Sequence, residues 1–177
     1  GRWFGRERKM TSLDLFREVY GGGRESSAGV TVNTQVALET STALACARVI
    51  AEGCAQVPFH LMQESAGRMR VADEPLDYVM YPRPNPWQTS MEFRETALLH
   101  LVFTGNAYCF VNRVGVARQI RELVPIEPGM VTVKRAADLS LSYEVRAASG
   151  ESRVFPADAI WHLRGPSWSS WMGMDAV

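Results

Sequence analysis

The sequence predicts an α+β fold, with helices in the first half followed by a mainly antiparallel β region. Three observations carry this. Helical periodicity is confined to residues before Gly105. After Asn106 the chain breaks into short alternating segments punctuated by Gly, Pro and Asp. No strand–helix–strand alternation suggests a parallel nucleotide-binding sheet. The chain has 177 residues, 46% apolar and 21% charged. That is one domain or two small ones, able to bury roughly 70% of the unfolded surface, and the mix is that of a folded soluble protein.

The first forty residues read as an arm. Trp3 and Phe4 lie among Arg2, Arg6, Arg8 and Lys9, and a short helix is predicted over 13–20 with Ser12 as its N-cap. Gly21, Gly22 and Gly23 stop it, and residues 24–34 have the small, polar composition of a flexible linker. The most helical stretch is 41–57, where Ala43, Ala47, Ala51 and Ala55 recur every four residues beside a stripe of Cys46, Ile50 and Cys54. A face of small residues lets another element approach closely, so this helix is expected to be buried. Pro58 ends it; strands are predicted at 59–63 and 69–72 around a turn at Gly67.

A short helix with proline in its first turn is predicted over 75–81. In Arg83-Pro84-Asn85-Pro86-Trp87 each proline keeps the residue before it extended, giving a stiff spacer anchored by a large aromatic. Thr89 and Glu92 form a capping box, and Phe93, Ala97 and Leu101 stripe the helix that follows. Gly105 and Asn106 tolerate the left-handed conformation that closes it. Strands follow at 107–113, 120–124, 131–135, 141–146, 152–155 and 160–164. Residues 165–177 carry Trp168, Trp171, Met172 and Met174 without periodicity, so they are expected to need a partner surface.

Little here points to chemistry. Lys plus Arg is 19 and Asp plus Glu is 19, whereas a protein that grips phosphate carries a basic excess. All the basic residues but Lys9 and Lys134 are arginine, which the codon bias of a GC-rich genome explains better than a need for bidentate pairing. The longest apolar run, 97–103, is broken by His100 and too short for a bilayer. With no leader in view, an intracellular protein without a membrane partner is expected. Cys46 and Cys54 lie about 12 Å apart along a helix, beyond disulfide reach, so reduced, buried thiols are expected at these and at Cys109.

The glycine run lacks a following Lys-Ser or Lys-Thr and the spacing of a dinucleotide fingerprint. His60, His100 and His162 are scattered and no Cys-x-x-Cys occurs, so no metal and no cofactor is predicted. A hydrolase around Asp158 and His162 would need groups four apart in a strand, about 13 Å, and no Gly-x-Ser-x-Gly elbow accompanies them. Glu92 is accounted for by its cap and Glu95 by a solvated face. The basic arm, diluted by Gly5 and Glu7, reads as a solvated terminus or an arm laid on a neighbouring subunit. No catalytic residue and no enzyme activity is predicted.

Four segments in order carry a resemblance. The first is Ala-Leu-Ala-Cys-Ala-Arg-Val-Ile-Ala-Glu at 43–52 with Val57-Pro58-Phe59-His60-Leu61. The second is Arg83-Pro84-Asn85-Pro86-Trp87-Gln88-Thr89 with Glu92-Phe93-Arg94, and the third is Gly105-Asn106-Ala107-Tyr108. The fourth joins Leu123-Val124-Pro125-Ile126 and Pro128-Gly129-Met130-Val131 to Ile160-Trp161-His162-Leu163-Arg164-Gly165. From residue 37 onward the chain resembles the portal proteins of tailed bacteriophages, prophages and gene-transfer particles. The resemblance implies a ring of identical subunits, typically twelve, at one vertex of a shell of major capsid protein. Double-stranded DNA would pass through its channel, with the terminase large subunit docking during filling and head–tail connector proteins afterwards.

The place implied is the virion, and the host cytoplasm during assembly. In that family the chain continues beyond a wing into stem, clip and crown. The division expected here is an arm at 1–40, an α+β wing at 41–164 and the start of a connection at 165–177. Tail aromatics would then pack on the stem or a neighbour. Arg83, Pro84, Asn85, Pro86, Trp87, Gly105, Asn106 and Tyr108 carry over as scaffold only, and no DNA-contact residue carries over. From the residues alone the alternative is a free-standing nucleic-acid-binding module, whose affinity would fall by orders of magnitude from low to moderate salt.

Overall fold

A computed structural model of the chain describes residues 41–65, 67–71 and 75–174. The expected arm, with its helix and glycine run, lies outside them. Helix α1 (Ser41–Ala55) packs its alanine stripe on α3 (Ser90–Thr104), where Leu44 and Ala47 meet Leu99, Val102 and Phe103. Ala51 and Ala55 are fully buried. The adjoining stripe is not: Cys46, Ile50 and Cys54 are exposed, because small side chains commit one face to α3 and nothing among the described residues covers the other. Only Cys109 matches the buried-thiol expectation, and burial pushes its pKa up to about 12.

Strands β1 (Met62–Ser65) and β2 (Arg68–Val71) form an antiparallel hairpin turning at Gly67, whose φ is 72°. β1 starts later than the sequence suggests. The Leu61 amide instead donates to Asp77 Oδ1 at 2.8 Å, on α2 (Pro75–Met80). α3 begins with the expected capping box: the Glu92 amide donates to the Thr89 hydroxyl, and the Thr89 amide donates to the Glu92 carboxylate at 2.7 Å. The same bonds hold the Glu92 pKa below its ordinary value. Gly105 closes the helix in the left-handed region at φ 67°. Asn106 departs from expectation: it is the buried first residue of a strand rather than part of the turn.

The β region forms two three-stranded antiparallel sheets. In the first, β3 (Asn106–Val114) lies between β4 (Gln119–Ile126) and β8 (Ile160–Arg164). In the second, β6 (Leu141–Arg146) lies between β5 (Val131–Arg135) and β7 (Ser152–Pro156). Side chains alternate across a strand, so β3 serves two cores. Tyr108, with Val124, Ile126 and Ile160, packs on Tyr143, Val145 and Phe155 of the second sheet. Cys109 and Val111, with Leu123, pack on Val79 and Phe93 of the helices. The result is three layers, helices on sheet on sheet, with β3 buried on both faces.

Candidate functional site

Of the two motifs in the sequence, the proline spacer docks on β4 and the other closes α3 and opens β3. In the proline spacer Pro84 and Asn85 are buried while Arg83 and Pro86 are exposed. The Leu123 amide donates to the Pro84 carbonyl at 2.8 Å, and Asn85 Nδ2 returns a bond to the Leu123 carbonyl at 2.9 Å. Asn85 Oδ1 accepts from the Trp87 and Gln88 amides at 3.3 and 2.9 Å, closing the turn from inside. Trp87 is half-buried and packs on the core between the sheets, which Tyr108 also lines. The spacer thus covers the outer edge of β4 and orients the entry to α3, where the Ser90 amide donates to the Pro82 carbonyl at 3.0 Å. Beside it lies an open groove of about 440 Å³ whose walls include Tyr78, Ile120, Arg83 and Arg121.

The second motif ties four segments together. Asn106 Oδ1 accepts from the Gly173 amide at 2.8 Å, while Nδ2 donates to the Thr104 and Gly173 carbonyls at 2.8 and 3.2 Å. His162 Nε2 lies 3.0 Å from the same Oδ1, and its Nδ1 lies 3.3 Å from the Tyr143 hydroxyl. An amide oxygen only accepts, so Nε2 carries the imidazole proton and Nδ1 accepts from Tyr143. Tyr108 lies against the ring at 4.4 Å, and its hydroxyl donates to Met172 Sδ at 3.7 Å. Gly105 and Gly173 approach so closely that a Cβ on either would overlap the other segment's backbone.

Burial, with nearby Arg164 second, lowers the His162 pKa to about 4. Burial also raises the Tyr108 and Tyr143 hydroxyls above the usual tyrosine range, for Tyr108 with Tyr143 as the second cause. At neutral pH every member is uncharged and hydrogen-bonded, so the cluster acts as a tie between α3, β3, β8 and the tail. The Asp158–His162 pair does not assemble: Asp158 faces Arg118 at 2.8 Å, and both imidazole nitrogens are committed elsewhere. Among the described residues no group of three or more His, Cys, Asp or Glu is placed to hold a metal ion.

Several contributors have no local sequence signal. His162 reaches Asn106 across 56 positions and Gly173 reaches it across 67. Arg94, noted only as part of a motif, donates through Nε and Nη2 to the Ala55 carbonyl at 3.0 and 2.7 Å, capping α1 from α3. The tail also differs from expectation in part. Met172 and Gly173 fold back onto Tyr108 and Asn106, while Trp168 stands 92% exposed.

Compared with known proteins, residues 41–177 match the family model described as phage portal protein. The portal protein of Enterobacteria phage HK97 is 28% identical over 149 residues, 82% of this chain. The chain spans only 34% of that relative's length. Protein BeeE of Escherichia coli (strain K12) is 27% identical over 123 residues, 69% of this chain and 77% of BeeE. The fold is also that of chains in two gene transfer agent necks. One, from an empty particle in C6 symmetry, gives a TM-score of 0.65 at 22% identity, covering 87% of this chain and 42% of the other. The second, from a native particle in C12 symmetry, also gives 0.65 at 22% identity, covering 88% and 41%. The family match runs from α1 through all eight strands to the tail clasped by Asn106, and this chain therefore belongs to the phage portal protein family.

Proposed function

We propose that the chain is the wing part of a portal subunit, a structural brick that makes and breaks no covalent bonds. Identical copies, twelve to a ring, close around a channel for double-stranded DNA at one capsid vertex. Terminase docks there during filling, head–tail connector proteins follow, and the major capsid protein surrounds the ring. The protein works in the virion after assembling in the host cytoplasm. The observation that carries this reading is the family match over residues 41–177. Likeness in fold to chains from particle necks, one of them in C12 symmetry, supports it.

In the same reading, residues 1–40 form an arm, 41–164 the wing and 165–177 the start of a connection. Arg83, Pro84, Asn85, Pro86, Trp87, Gly105, Asn106 and Tyr108 serve as scaffold, and the geometry suits that. The proline spacer and the Asn106 tie fix backbone direction through buried, satisfied hydrogen bonds, the means by which a wall element keeps its shape. A formal net charge of zero also suits a channel that must let a polyanion slide rather than grip it. Negative-stain imaging of the gene's full product is the test. Rings with a central channel are expected, and a homogeneous population without rings would overturn the proposal.

A further inference from the structure

α1 carries two apolar stripes, and among the described residues only one has a partner. The alanine stripe is buried on α3. On the opposite side Cys46, Val49, Ile50 and Gly53 recur at i, i+3, i+4 and i+7, and Val57 follows just beyond the helix. Val49 is 73% exposed, Ile50 49% and Val57 62%. The helix has two charged residues, Arg48 and Glu52, and they pair with each other at 2.9 Å instead of solvating this face. A helix apolar on opposite sides is built to lie between two partners, and an apolar stripe left in water marks a docking surface.

The chain itself supplies a matching occupant. Forty residues precede α1 outside the described part, and within them lies Leu13-Asp14-Leu15-Phe16-Arg17-Glu18-Val19-Tyr20. Placed at 100° per residue, Leu13, Leu15, Phe16, Val19 and Tyr20 fall on one arc of about 160°, while Asp14, Arg17 and Glu18 fall on the other side. Twenty residues, 21–40, join that segment to α1. A flexible tether of that length has a root-mean-square span of about 25 Å, against about 22 Å for the whole of α1. The segment is therefore presented at an effective concentration near the millimolar range, far above any free competitor at ordinary protein concentrations.

We propose that the outward stripe of α1, centred on Cys46, Val49, Ile50 and Gly53, is the docking site for the amphipathic segment 13–20 of the same chain. The site stands independently of the portal reading, and its failure would leave that reading intact. Thiol labelling of the 177-residue chain with a maleimide tests it, with the modified cysteine identified by peptide mass spectrometry. Cys46 reports on the stripe, and Cys109, buried beneath the helices, is the protected reference. Cys46 is expected to react at least tenfold more slowly in the unmodified chain than in Phe16→Asp or Leu13→Asp, at every protein concentration. Equal, fast labelling in all three chains would overturn the proposal. Protection that both substitutions leave intact, or that disappears on dilution, would assign the stripe to a second copy and overturn it as well.

Discussion

Asn106 satisfies partners in three other segments with one side chain at 5% exposure. Truncating it strands the Gly173 amide, the His162 ring proton and two carbonyls in a place water reaches poorly. Each orphaned group costs about 1–3 kcal/mol, and relaxation of the tail recovers part of the sum. Asn106→Ala is expected to lower stability by about 2–4 kcal/mol. The readout is a lower urea midpoint at unchanged slope, and a change under about 0.5 kcal/mol would show the tie to be decorative. Gly105, one residue earlier, was legible in the sequence because a left-handed helix terminus is a local demand. The sequence places Asn106 in the same turn, whereas its actual partners lie far along the chain, where no spacing rule reaches them.

Among the elements, the same division between local and distant causes holds. The capping box at Thr89 and Glu92 is written within four residues and forms as read. The strands at Val131–Arg135, Leu141–Arg146 and Ile160–Arg164 fall on their expected ranges, since alternation and turn residues are local too. For α1 the small-residue face predicted a close approach, and α3 takes that face, whereas the pattern could not say that the adjoining stripe would stay exposed. The end of α1 depends on a residue the helix does not contain. Arg94 gives Ala55 two charge-assisted bonds where the last carbonyls concentrate partial negative charge. Arg94→Ala should therefore destabilise the fold by about 1.5–3 kcal/mol. Arg94→Lys, with one point donor in place of a fork, should recover about half. Thermal melts of the three chains separate these outcomes, and a lysine variant no better than alanine would mean the fork geometry is everything.

On the scale of the whole molecule, two histidines set the acid limit of stability. Burial lowers the pKa of His100 on α3 to about 4, and burial with Arg164 does the same for His162. Among the described residues His100 Nδ1 has no hydrogen-bond partner, so none of them compensates a charge there. The unfolded chain takes up protons at both rings from about pH 6.5 downward, and the folded chain only near 4. Stability is then complete above pH 6.5 and declines as pH falls toward 4. The slope is at most about 1.4 kcal/mol per pH unit for His100, and less for the half-exposed His162. Urea midpoints between pH 7 and 4.5 should follow this decline, with His100→Leu flattening it; a level profile in the unmodified chain would refute the assignment. The three-layer arrangement itself was only partly legible. Helices before strands gave the α+β class, but the division into two sheets rests on pairings such as β3 with β8, whose register no local pattern encodes.

The crossing at Gly105 and Gly173 has a mechanical result. Each glycine's absent side chain is the other's clearance, and the Gly165 amide adds a clasp on the Gly105 carbonyl at 2.8 Å. The loop over 166–172 is thereby pinched shut at its neck, as the Met174 amide on the Pro166 carbonyl also shows. Lengthening or shortening that loop would swell or shrink the bulge bearing Trp168 and leave Gly173 aimed where it is. The direction of the backbone there is set by the end of a helix almost seventy positions upstream, so the two glycines can drift only together.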